Sequence, residues 1–207
     1  MANNLTIATA VLPTPFLPRR VDAVARCVGT VKHQDAKTRY HLPVGWTMDD
    51  EIRAEAKSQL STLTSLLDPA VAFLDQDGGE AKLALVTTLL IGSASAQNSE
   101  TAADARFDLF ERALDDVPAW AVAEAIGMWA KGECPKNIEE NPKFAFAPAP
   151  ATLRKLARLA MKPYLDSVAL LERVVLAETM DDAMDPTKEA PMLALEKPKS
   201  MFALRKM

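Results

Sequence analysis

Two cysteines and two histidines are few for a chain of 207 residues, and they exclude whole classes of chemistry. Cys27 and Cys134 form no CxxC pair, so neither a disulfide scaffold nor a structural zinc site is expected. His33 and His41 share one polar segment. A metal site there would have to borrow Asp35 and Cys27; a solvated loop with two ordinary histidines is the plainer reading and is preferred. Aromatic residues make up only 6% of the chain, while alanine and leucine are common, which favours helix over sheet. No apolar run reaches the roughly 18 residues that span a bilayer. The longest, Ala81 to Ala96, is interrupted by Lys82, two threonines, Gly92 and two serines. The N-terminus does not read as a secretory signal, because its apolar stretch stops at Pro13 and Arg19–Arg20 follow instead of leading. A cytoplasmic protein with no membrane contact is expected. No GxSxG, GxGxxG, HExxH or GK[ST] phosphate loop occurs, so no catalytic, cofactor-binding or metal residue is assigned and no enzyme is expected.

What remains is ordinary globular material, 49% hydrophobic and 25% charged, with a formal net charge of −4. The charge is uneven: residues up to Thr47 and the stretch Lys143 to Lys162 are basic, and the middle is acidic. Acidic side chains cluster where helices start, and caps and helix dipoles account for them. Residues 1–46 read as an extended arm with Pro13, Pro15 and Pro18, a short helix over Val21 to Val28, and an irregular stretch from Gly29 to Trp46. Residues 47–180 read as a helical domain. Thr47 is the expected cap of a helix with Ile52, Ala56, Leu60, Leu63 and Leu67 on one face. Glu80 to Ile91 is apolar on most sides and is expected at the centre of a bundle. Ser99 is the expected cap of a helix burying Phe107, Phe110, Ala113 and Leu114. Asp115-Asp116-Val117-Pro118 signals another helix, which Gly132 ends. From Ala151 a helix runs past Leu176 on Leu153, Leu156, Leu159, Leu165, Leu171 and Val175, with Pro163 expected to kink or divide it. Residues 181–207 read as a flexible, disordered tail. The expected fold is therefore an all-α bundle with an extended N-terminal arm.

The informative stretch is Leu114 to Leu159. Trp120 and Trp129 are nine residues apart, which places them on opposite sides of one helix. Both can be buried only if that helix is sandwiched or a loop folds back. Downstream come Phe144-Ala145-Phe146-Ala147-Pro148-Ala149-Pro150 and Leu153-Arg154. This arrangement, W…A…W-x-x-G-[DE]…F-x-F-x-P-x-P-x-x-L-R, resembles small phage and prophage proteins of the replicative-helicase loader/inhibitor family. The resemblance covers about Ala102 to Leu159, and Met1 to Trp46 has no counterpart in it. It implies a small helical domain, a flexible part that engages a replicative helicase or initiator, and no cofactor. Two rival readings use other residues. A DNA-binding regulator would use the basic helix 151–162, with nucleic-acid contacts from Arg154, Lys155, Arg158 and Lys162, against the repulsion of an acidic body. A phage structural or assembly protein would exchange its N-terminal arm between copies. The expected protein-binding residues are Phe202, Leu204, Arg205 and Lys206, because an apolar and basic cluster is out of place in a solvated tail.

Overall fold

The computed structural model describes residues 12, 14–32, 38–74, 76–93 and 100–179. Among them the protein is all-α apart from one hairpin. The elements are α1 (Arg19–Cys27), β1 (Gly29–Lys32), β2 (Thr38–His41), α2 (Asp50–Leu66), α3 (Gly78–Gly92), α4 (Glu100–Ala113), α5 (Ala119–Ala130) and α6 (Pro150–Leu176). The contacts group into two compact units: Leu66–Lys162, and Pro13–Ser65 with the chain that begins at Pro163. This differs from the expected division into an arm 1–46 and one helical domain 47–180. The first half of α6 belongs to one unit and the second half to the other.

In the unit containing the N-terminal segment, the stretch expected to be irregular forms an antiparallel hairpin, with Gly29 opposite His41 and Lys32 opposite Thr38. Val21, Val24 and Ala25 of α1 are buried, as are Leu42, Ala56, Leu60, Leu63, Leu171, Val174 and Val175. Helix α1 and Leu42, at the end of β2, thus contribute to a core. The chain leaving α6 extends the pairing of β2: the Leu42 amide donates to the Glu178 carbonyl (2.8 Å), and the Glu178 amide to that of Tyr40 (3.0 Å). Arg53 donates to the carbonyls of Val175 (2.7 Å) and Ala177 (3.0 Å), supplying partners to acceptors that a helix end leaves open. The start of α2 is capped by Asp49, whose carboxylate accepts from the Glu51 amide at 2.8 Å; Thr47 lies too early.

In the other unit α5 is the central element. Eight of its twelve residues are buried: Ala119 to Ala123, Ala125, Ile126 and Trp129. This is the place that the sequence reading gave to α3, which packs against α4 and α5. Helix α3 buries Ala81, Val86 and Leu90 and leaves Leu83 and Ile91 facing out. Both helices are apolar all round, and composition alone does not say which one the chain covers. The start of α3 is held by Asp77, whose carboxylate accepts from the Gly79 amide (2.8 Å). A Cβ at Gly78 would lie 2.7 Å from the Val71 carbonyl oxygen, so the turn before α3 requires glycine there. Helix α6 is not divided at Pro163. Leu159, the residue whose carbonyl the missing N–H would meet, is itself exposed, so water can satisfy it. The expected arm over residues 1–11, the metal candidates His33 and Asp35, the cap Ser99 and the tail 181–207 lie outside the described residues. No helix among the described residues is long and apolar enough to cross a membrane.

Candidate functional site

The segment 114–159 folds as a corner around α5. Pro118 occupies the N-cap position and offers no side-chain cap. Asp116, two residues before it, serves elsewhere. Asp116 accepts from Arg154 twice, Nε to Oδ1 at 3.0 Å and Nη2 to Oδ2 at 2.7 Å, and from Arg158 Nη2 at 2.5 Å. One carboxylate thus ties the turn before α5 to two successive turns of α6. Burial by itself pushes the Asp116 carboxyl up; the hydrogen bonds and charges of Arg154 and Arg158 outweigh it and hold the group below its ordinary value. The same bond raises the pKa of Arg154. Arg154 and Arg158, both expected to contact nucleic acid, are therefore engaged within the fold. Lys155 and Lys162 are exposed on α6.

The two tryptophans lie on opposite sides of α5 and both are buried, Trp120 at 2% and Trp129 at 4% exposure. Each indole N–H has an acceptor: Leu66 O for Trp120 (2.8 Å) and Phe146 O for Trp129 (2.9 Å). The loop does fold back, but it is the backbone of Phe146 that anchors it. The Phe146 ring is 47% exposed. The Phe144 ring tilts against Trp129, with centroids 4.9 Å apart at 58°, and lies across Gly132. Gly132 ends α5 with φ +75°, the left-handed conformation that favours glycine.

The second feature was not anticipated. Between α3 and α4 lies a cavity of about 460 Å3 whose apolar wall includes Leu83, Val86, Phe107 and Phe110. Its rim carries the exposed carboxylates of Glu80, Glu111 and Asp115. Lys82 is its one cation and donates to the Leu114 carbonyl at 3.2 Å. Burial lowers the Lys82 pKa, and the charges of Asp115, Asp116, Asp77 and Glu111 oppose that shift. On the same two helices, Leu83 and Ile91 of α3 are 55% and 72% exposed and Leu109 of α4 is 56% exposed. The signal was present in the sequence: Glu80 to Ile91 has more apolar faces than one neighbour can cover. The anchors Phe202, Leu204, Arg205 and Lys206 lie outside the described residues.

No group of three or more His, Cys, Asp or Glu side chains suited to a metal ion occurs among the described residues. Comparison with known protein families, curated proteins and solved structures finds no match to this chain.

Proposed function

We propose that the protein acts by binding a protein partner in phage-type DNA replication, as a loader or inhibitor of a replicative helicase or its initiator. The observation that supports a binding role is the uncovered apolar face of α3, with Leu83 and Ile91 directed away from the core. Large apolar side chains exposed on one helix favour a place where a partner covers them. The replication assignment rests on the resemblance across Ala102 to Leu159. A protein of this kind needs no cofactor, because it can hold a helicase in one conformation by binding that conformation more tightly than the others.

The reading is tested with a purified bacterial replicative helicase loading onto DNA covered by single-strand-binding protein. The chain is expected to bind the helicase and to change its loading. A Leu83→Lys, Ile91→Lys double variant is expected to stay folded and lose both effects. A chain that leaves loading unchanged and does not bind the helicase overturns the assignment. Binding to random duplex DNA that weakens steeply with salt, and is lost when Lys155 and Lys162 become alanine, would favour the DNA-binding regulator instead.

A further inference from the structure

The cavity between α3 and α4 has an apolar floor and an acidic rim, and that combination limits what can occupy it. Three rim carboxylates stand against the single ammonium of Lys82, which is half-buried and turned to the Leu114 carbonyl. An anionic ligand or a nucleic acid is repelled by such a rim. A second copy presenting the same face brings carboxylates against carboxylates, which is unfavourable across an interface. The fitting occupant carries large apolar side chains beside positive charge.

The chain contains such a segment. Residues Ser200-Met201-Phe202-Ala203-Leu204-Arg205-Lys206 join two large apolar anchors to two cations. Phe202 and Leu204 are two apart, so in an extended strand both point to the same side. A cavity of about 460 Å3 is within the ~300–1,000 Å3 that binding pockets span, room enough for a pair of side chains. Arg205 and Lys206 follow directly, where the rim carboxylates of Glu80, Glu111 and Asp115 would meet them. Between Thr179 and Met201 lie 21 residues. Fully extended, they reach roughly 70 Å, about twice the ~30 Å diameter of a small domain. Tethering also raises the local concentration of the segment to roughly the millimolar range, so weak contacts suffice.

We infer that the groove between α3 and α4 binds the chain's own segment 200–206, with Phe202 and Leu204 in the cavity and Arg205 and Lys206 on its acidic rim. A partner that uses the α3 face must then displace this segment, and the exposed apolar residues are shielded until it does. The inference needs no helicase, so it stands or falls independently of the replication assignment.

The test uses the full chain and hydrogen exchange of α3 and α4. In the wild type, amides of these helices are expected to exchange at least tenfold more slowly than in a Phe202→Ala, Leu204→Ala variant, whose melting temperature should fall by no more than about 4 °C. A synthetic peptide of residues 199–207, added to that variant, is expected to restore the protection. It is expected to bind at least tenfold more weakly when Glu80→Lys and Glu111→Lys are also present. Equal exchange in wild type and variant overturns the inference. So does protection that disappears on dilution, which would assign the groove to another copy of the chain, and so does peptide binding that ignores the rim reversal.

Discussion

Asp116 lies two residues before the N-cap position Pro118, too early to cap α5, and its carboxylate bonds to Arg154 and Arg158 of α6. Its pKa is lowered in the folded state, so over the acid range the unfolded chain binds more protons than the folded one. The stabilisation is complete above the ordinary carboxylate pKa, near ~4, and disappears as pH falls through the lowered folded value. Asp116→Asn should cost about 1–3 kcal/mol near neutrality, where the guanidiniums lose a charged acceptor. Denaturant titrations of both proteins should converge as the pH is lowered; a gap independent of pH would contradict the assignment. The aromatic residues of the corner divide in the same way between appearance and role. Trp129→Ala removes a buried ring and should cost about 3–5 kcal/mol. Phe146→Ala keeps the carbonyl that holds the loop and removes a half-exposed ring, so its cost should be about 1 kcal/mol or less. Thermal melts of the two variants decide this. From the sequence, burial of both tryptophans called for a sandwiched helix or a returning loop; which atom of Phe146 makes the tie depends on the path of the loop, which residue identity does not encode.

At the scale of the element, α3 and α6 show where periodicity succeeds and where it stops. In α6 the buried positions are Thr152, Leu153, Leu156, Ala157, Met161, Tyr164, Ser167, Leu171, Val174 and Val175. Leu159 and Leu165, expected on the same face, are exposed. Leu159 is six residues after Leu153, about 120° off that face at 100° per residue, so its apolar character was a weaker guide than its phase. Pro163 withholds an N–H within the continuous helix. Pro163→Ala restores the bond to the Leu159 carbonyl and should stabilise the protein by about 1–3 kcal/mol. A lower melting temperature would show that the proline ring itself contributes packing along α6. For α3, Leu83→Lys and Ile91→Lys should each change stability by no more than about 0.5 kcal/mol. Leu90→Ala, on the buried side, should cost about 2–5 kcal/mol. Equal losses at Leu83 and Leu90 would mean that Leu83 is packed into the core as Leu90 is.

For the whole molecule, helix class was legible because Ala- and Leu-rich segments repeat at three and four residues, and local propensity and burial agree in them. The hairpin at residues 29–41 was not. Its strands have four residues each, and β2 gains its further partner from Glu178, more than 130 positions away. No local pattern announces a pairing of that range. The division into two units was hidden for the same reason, since residues 13–65 complete their unit with the chain that begins at Pro163. Of the candidate sites, the cations of α6 were visible as charges, but their engagement by Asp116 requires the turn before α5 to be in place. The α3–α4 cavity was visible only as a surplus of apolar faces.

The two indole bonds of α5 also make the protein its own optical reporter. Trp120 is fixed to the Leu66 carbonyl, whereas Trp129 is fixed to a loop carbonyl and roofed by Phe144. Release of that loop would expose Trp129 to water and move its emission to longer wavelength while Trp120 stayed blue. With the half-exposed Trp46 replaced by phenylalanine to remove its background, a red shift without loss of helical circular dichroism would record the opening of one loop in an otherwise intact fold.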